Sequence, residues 1–571
     1  MTPNAVARHT KRVIVELEEL LGDPLAPAGP FTFAETVEHE EREQVPPAAV
    51  AALTEWGMPG HLVPTEHQGR MYNLETGLTV VRSIARRNLT LAVMFGSTLL
   101  GAQPVWLWGT AEQRKLVAAG VLAGDRVCFA VSEPDAGSDL VANVTMARPV
   151  GDHYVLNGLK WPVGNASSSR FYTVLADSPR GHSLLLVDKE QQPDESMTAR
   201  PRVRTLGLRG HDLSGIELHD TEVPATAVIG RPGRGVVATL KCLQITRTAI
   251  GGLSLGSMDA ALRIGLDYAR RRRLYGAEIY QLPVLREHLV GAHLDLLVAE
   301  CVAIPVARSL SVVPARMALW SSVVKYLVPV IGEEVLAHVA KVLGARSYLR
   351  ELVASGALQK IQRDHAITTI FEGTTHVVLF NIAAQLSALA PVAHEAMSDG
   401  PAVLRQLFDF TIEAPVWHAD GAALSLATAG RDEITRGWRD AIAELGRVVA
   451  EQCGSAQAQH LAAVVTQLDV RRSALYDTIA GEGGIDGNTV RGSRSAVEHC
   501  VFHAASSCVQ VWLHNRSETS DAGWLILALR RLLQRLEPGT LLDETYLPAF
   551  EAVMERLRTS GEYFTVDAVL G

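Results

Sequence analysis

Cysteine is scarce in this chain: six thiols, at 128, 242, 301, 453, 500 and 508, serve 571 residues. That is too few for a disulfide scaffold, and it predicts a reducing, cytoplasmic setting. Positive charge is not in excess. Fifty-three Lys and Arg stand against 62 Asp and Glu, a net charge of -9. This balance disfavours nucleic acid as a partner and excludes a polybasic membrane anchor. No eighteen apolar residues follow one another without interruption, so no membrane span is expected. The first residues also lack the long apolar stretch of a secretory signal. What is present is a globular composition, 47% hydrophobic and 20% charged, long enough for several domains.

The texture changes along the chain. Residues 1–127 read mainly as helices. Val13 to Leu21 is an amphipathic run stopped by Gly22, and Pro46-Pro47 opens a pattern through Val50, Leu53 and Trp56 that Gly57 ends. Residues 128–232 hold short apolar runs, such as Tyr172 to Ala176 and Ser183 to Val187, between Gly, Pro, Asn and Asp. That pattern predicts a compact β-barrel. Residues 233–395 return to long helical patterns near 236–270, 283–311, 316–343 and 375–389, which predict an antiparallel four-helix bundle. Residues 396–571 read as an extra helical domain, with helices near 402–411, 430–451, 456–480, 493–514, 521–536 and 541–558. Gly481 to Asn488 is a break within it. The expected fold is mainly α with a central β-barrel domain.

Two motifs carry chemistry. In Phe371-Glu372-Gly373-Thr374-Thr375, one carboxylate stands in an apolar run just before a helical pattern. Apolar neighbours suit a general base working near neutral pH. Gly373 allows a ligand close to the backbone, and Thr374 and Thr375 are candidate caps of a helix whose free N–H groups favour a phosphate. The same five residues also read as an ordinary helix start. The second motif, Cys128-Phe129-Ala130-Val131-Ser132-Glu133-Pro134-Asp135-Ala136-Gly137-Ser138-Asp139, joins a strand-like run to a polar turn. Such a loop suits the polar edge of a flat heterocycle.

Together, in this order, the motifs resemble the acyl-CoA dehydrogenase family, with its A-x-S/T-E-P-x-A-G-S-D signature and its catalytic Glu segment. Further likeness lies in Tyr154-Val155-Leu156-Asn157-Gly158-Leu159-Lys160, where Asn-Gly reads as a hairpin turn. It continues in Gly215 to Asp220 with Val223-Pro224, in Arg272-Arg273-Leu274-Tyr275-Gly276, and in Arg363-Asp364. The likeness runs from about residue 35 to 390. The extension resembles, in length and helical character, that of the very-long-chain members, which are homodimers.

The resemblance implies FAD-dependent α,β-dehydrogenation of an acyl thioester, with CoA or a carrier protein holding the acyl group and an acceptor such as an electron-transfer flavoprotein. It implies Glu372 as the base. Phe129, Val131, Ser132, Ser138, Trp161, Val163 and Gly164 would line the flavin, as would Arg272, Tyr275, Gly344, Thr374 and His376. Ser138, Gln244, Arg247 and Gly373 would meet substrate. Several positions depart from the family pattern. The usual hydroxyl near flavin N5 is replaced by Gly164 in Trp161-Pro162-Val163-Gly164-Asn165, with the Trp one place early. Gln-x-x-Gly-Gly becomes Lys341-Val342-Leu343-Gly344-Ala345, a Gln becomes His376, and an Asp becomes Gln244. These departures leave open an acyl thioester oxidase that uses dioxygen. An assembly protein on the same fold is the other alternative, although a scaffold needs no such base. His499, Cys500 and His503 share a helical pattern but match no recognised ligand spacing, so no metal is expected.

Overall fold

The computed structural model describes residues 9–517, 521–559 and 564–570. The chain divides into two compact units. One comprises Thr10–Ala249 and Val416–Leu426, and the other Ile250–Pro415 and Ala427–Gly571 with the first nine residues.

The first unit begins with helices. His9–Leu21 ends before Gly22, whose φ of 61° is the left-handed stop that glycine supplies. Pro47–Trp56 starts on its proline and ends at Gly57, φ 99°. The apolar helix Leu89–Trp108 packs on the sheet so closely that a Cβ on Gly101 would lie 2.6 Å from the Val127 carbonyl.

The β region holds eight strands: β1 (Val127–Ala130), β2 (Met146–Val150), β3 (His153–Gly164), β4 (Phe171–Ala176), β5 (Ser183–Asp188), β6 (Met197–Arg200), β7 (Leu213–Pro224) and β8 (Val228–Ile229). They form two four-stranded sheets, β1-β4-β5-β8 and β2-β3-β7-β6. Cys128, Tyr172, Val174 and Leu185 of one sheet share a core with Leu156, Val163, Ile216 and Leu218 of the other. The expected barrel is thus two facing sheets, stitched along one seam where Ala147 N–H donates to the Asp177 carbonyl and Asp177 N–H to that of Thr145, both at 2.7 Å.

The expected Asn157-Gly158 hairpin turn is not one. Both residues lie inside β3, where the register against β7 slips between Leu156 and Gly158. Asn157 instead pairs with Asp220, donating from Nδ2 at 2.8 Å and accepting from the Asp220 N–H at 2.9 Å. The extra residue of the bulge lies on β7, which advances from Thr221 to Leu218 while β3 advances from Leu156 to Gly158, so the dipeptide stands opposite a β-bulge. The hairpin turn lies just upstream, at Gly151-Asp152 between the paired residues Val150 and His153.

In the second unit the expected helices appear at Pro283–Val312, Met317–Leu343 and Thr375–Leu389, following the long helix Gly235–Arg271 that contains the boundary between the units. The extension adds Gly400–Phe408, Trp438–Gln452, Ser455–Gly481, Val490–Asn515, Gly523–Leu536 and Leu547–Thr559. Pro283–Val312 becomes a central helix, packed by Val490–Asn515, Gly523–Leu536 and Thr565–Leu570. Polar ties accompany the packing. Arg531 and Arg535 grip the buried Asp295, and the buried Glu300 accepts from the N–H groups of Thr565 and Val566.

Among the described residues three helices, Leu89–Trp108, Pro283–Val312 and Thr375–Val392, are long and apolar enough to cross a membrane by length and composition. The expectation from uninterrupted runs passed over them because polar or charged residues interrupt each: Thr90, Ser97 and Gln103 in the first, Arg286, Asp295 and Glu300 in the second, and Asn381, Gln385 and Ser387 in the third. Their apolar windows are 83, 100 and 44% buried within the protein. Among the described residues all six cysteines are free thiols.

Candidate active site

The candidate residues divide between the two units. The first holds Phe129, Val131, Ser132, Ser138, Trp161, Val163, Gly164, Gln244 and Arg247. The second holds Arg272, Tyr275, Gly344, Glu372, Gly373, Thr374 and His376.

In the first unit, β1 delivers Phe129 to a strand end from which Val131 and Ser132 continue. The Trp161 N–H donates to the Ser132 carbonyl at 2.9 Å, so the strand end and β3 are held side by side. Ser132 and Trp161 are half-buried and Val163 is buried, while Ser138 is exposed on the loop beyond. The Ser132 hydroxyl has no hydrogen-bond partner among the described residues. A free, half-buried hydroxyl on a strand end tied to the half-buried Trp161 is a group of the kind that hydrogen-bonds a flavin's polar edge, so these residues fit the cofactor.

A second register slip in β3, between Lys160 and Val163 against Ile216 and Ser214 of β7, inserts one residue. The extra residue falls in the stretch where the Trp stands one place early. Gly164 follows it with an ordinary φ. A Cβ there would lie 2.9 Å from both His211 Nε2 and Ser97 Oγ. The missing hydroxyl thus corresponds to space bounded by two other polar side chains. His211 is buried, and burial pushes its ring down to about 4, so it is neutral at physiological pH. Neither Ser97 nor His211 was singled out from sequence. Both lie in distant segments with no motif of their own.

The Ser-Glu-Pro stretch contains an unanticipated clamp. Glu133 Oε1 is 2.7 Å from the Lys160 ammonium, and the same carboxylate accepts from the N–H groups of Val144 and Thr145. Lys160 Nζ also donates to Asn143 Oδ1 and the Val131 carbonyl. Burial opposes ionisation of Glu133, but these donors outweigh it and hold the carboxyl at about 2. Burial lowers Lys160 to about 8 against the opposing pull of Glu133. The pair ties the flavin-loop candidates to β3 and thereby positions them.

Gln244 and Arg247 are both buried. Gln244 Nε2 donates to the Ser425 carbonyl at 2.6 Å, and Lys241 Nζ to that of Gly421 at 3.0 Å. A strap, residues 416–426, therefore covers this part of the helix Gly235–Arg271, and the Gln244 amide N–H is engaged by protein.

In the second unit, Glu372 has φ 57° and Gly373 φ 114°. A non-glycine residue held left-handed costs about 1–3 kcal/mol and concentrates at functional sites. Thr374 stands at the N-cap of Thr375–Leu389, but its hydroxyl makes no cap bond, contrary to the expected role. Thr375 Oγ1 donates instead to the Thr369 carbonyl at 3.3 Å. Glu372 is half-buried and its Oε2 is shielded from solvent, while His376 is exposed. Arg272 ends the long helix, and Tyr275 and Gly276 form the left-handed tip of a two-strand hairpin in which Tyr275 is 94% exposed. Gly344 closes Met317–Leu343 with φ 59°. Just ahead, Lys360 pairs with the buried Asp364.

Comparison with known proteins agrees with this architecture. Residues 32–125, 128–221 and 233–387 match the N-terminal, middle and C-terminal domains of acyl-CoA dehydrogenase. The chain is 26% identical over 343 residues to the probable acyl-CoA dehydrogenase FadE25 of Mycobacterium tuberculosis, covering 60% of this chain and 87% of that one. It is 28% identical over 380 residues to the human mitochondrial short-chain specific acyl-CoA dehydrogenase, covering 62 and 86%. The solved Bacillus anthracis acyl-CoA dehydrogenase complexed with FAD shares the fold over 100% of this chain and 95% of its own, with TM-score 0.66 and 17% identity. The extension thus has a structural counterpart, and the chain belongs to the acyl-CoA dehydrogenase family.

Proposed function

We propose that the protein is an FAD-dependent dehydrogenase that converts an acyl thioester to its 2-enoyl thioester, with Glu372 as the base. The left-handed Glu372-Gly373 pair, in the segment matched to the family's C-terminal domain, carries this reading. Glu372 removes the α-proton to its carboxylate. The α-proton is weakly acidic, so hydrogen-bond donors to the thioester carbonyl must stabilise the developing enolate. FAD, when bound, would supply the acceptor for the β-hydride. Ser132, Trp161 and Phe129 would hold its ring, and Arg272 would serve a pyrophosphate. The carrier is CoA or an acyl carrier protein, the acceptor an electron-transfer flavoprotein, the assembly a homodimer, and the setting cytoplasmic.

The test is anaerobic addition of a panel of acyl-CoA and acyl-carrier thioesters to the yellow holoprotein. Bleaching of the flavin band by at least one thioester, with enoyl product formed, supports the proposal. No bleaching by any saturated acyl thioester contradicts it. A second reading, an acyl thioester oxidase, draws on Gly164 and the His211 and Ser97 side chains beside it. Stoichiometric peroxide under air would favour that reading.

A further inference from the structure

We propose that Asp432, His499 and His503 form a structural site for a divalent transition-metal ion of the zinc class, inside the extension and apart from the proposed active site. His499 and His503 are four residues apart on Val490–Asn515, which puts them on one helix face. Asp432 precedes the short helix Glu433–Arg436 and brings a carboxylate to that face. One ligand atom from each lies within 4.8 Å of the others, and His499 Nε2 is 4.0 Å from Asp432 Oδ2. All three residues are 0% exposed. Cys500 points off this face and takes no part.

The second observation is a set of stranded nitrogens. Among the described residues, neither ring nitrogen of His503 has a hydrogen-bond partner, nor does His499 Nε2. Whichever tautomer His503 adopts, it buries one unmet N–H and one unmet lone pair, a costly arrangement. A cation bound by one ring nitrogen removes most of that cost. The other features suit metal binding. His499 Nδ1 is 2.9 Å from the Tyr476 hydroxyl, the outer contact that turns Nε2 toward a metal. Asp432 is oriented by Trp320 Nε1 at 2.9 Å and by Thr435. Arg472 bonds to the Ala393 and Thr435 carbonyls and lies close enough to Asp432 to offset part of its charge. It bonds to none of the three ring nitrogens that lack a partner.

Tetrahedral ligands at metal distances of ~2.1 Å stand ~3.4 Å apart, so binding draws the three side chains inward by about an ångström. Full burial gives substrate no access to the fourth coordination position, hence a structural role. The ion would tie the start of the short helix Glu433–Arg436 to Val490–Asn515.

The full-length holoprotein is equilibrated with excess Zn2+ and passed over a chelating resin. Metal analysis should find one Zn2+ per chain. X-ray absorption at the zinc edge should show two imidazoles and a carboxylate oxygen, and Co2+ in its place should give the visible bands of an N/O site. His503→Asn and Asp432→Asn, judged folded by FAD content, should each lose at least ten-fold in zinc affinity. Wild-type protein that retains no Zn2+ overturns the proposal and leaves water or a proton in the site. So does a zinc shell of sulfur or of oxygen alone, a readout that needs no variant. Retention at full stoichiometry by both folded variants overturns it as well.

Discussion

The Lys160 ammonium and the Glu133 carboxylate meet at 2.7 Å, with their side chains 0 and 4% exposed. Removing one member of such a pair strands the other charge, at about 3–5 kcal/mol. Lys160→Met should therefore lower the denaturant midpoint and FAD retention together. Lys160→Met with Glu133→Gln should recover part of the loss. Equal stability of Lys160→Met and wild type would show that the clamp is not structural.

The same pair sets an acid limit. The Glu133 carboxyl is held in the folded state at about 2 against an ordinary 4.5. Its folded value is depressed, so its stabilisation is complete above pH ~4.5 and is lost as pH falls toward 2. Glu133→Gln should be less stable than wild type at neutral pH, with the gap closing below pH ~4.5. A gap constant from pH 7 to the acid unfolding limit would contradict the assignment.

Gly164 is confined rather than strained. A Cβ would press His211 Nε2 and Ser97 Oγ at 2.9 Å each. Gly164→Thr should cost about 1–3 kcal/mol by overpacking and reduce FAD retention. Adding Ser97→Ala should recover part of it. Thermal unfolding and flavin content measure both, and a Gly164→Thr protein with wild-type values would mean the neighbours yield freely.

Much of the fold was legible because its punctuation is local. Gly22, Gly57 and Pro283 end or begin helices by their own backbone chemistry, and the helices Pro283–Val312, Met317–Leu343 and Thr375–Leu389 lie within a residue of their expected bounds. What failed was the meaning of ambiguous signals. Asn157-Gly158 suits a turn and a strand opposite a bulge equally, and only pairing with Asp220 selects the second. Glu133 and Lys160 were in view within motifs, but their contact joins residues 27 apart and no periodicity encodes it. His499 and His503 were visible as a pair on one helix. Their third partner, Asp432, lies far upstream, where spacing rules do not look.

The extension is integral to its unit. Asp295 is held ionised, against burial, by Arg535 and Arg531, and Glu300 accepts hydrogen bonds from the N–H groups of Thr565 and Val566. Deleting residues 396–571 would uncover both acids and the apolar face of Pro283–Val312. Aggregation is the expected outcome. A soluble truncated protein with wild-type FAD content by size-exclusion chromatography would contradict this.

Arg272→Ala should weaken FAD retention by ten-fold or more, through loss of a charge-assisted contact to pyrophosphate. Equilibrium dialysis against FAD measures it, and unchanged affinity would remove Arg272 from the cofactor site.

The central claim is that Glu372 is the base. Glu372→Gln preserves shape and removes the carboxylate, and no other acid lies between Asp364 and Leu386 to replace it. The decisive measurement is α-deuterium exchange together with anaerobic flavin bleaching, on a thioester that bleaches wild type. Glu372→Gln should retain FAD and bind the thioester while both rates fall by about two to four orders of magnitude. Exchange and bleaching at wild-type rates would place the base elsewhere and contradict the account.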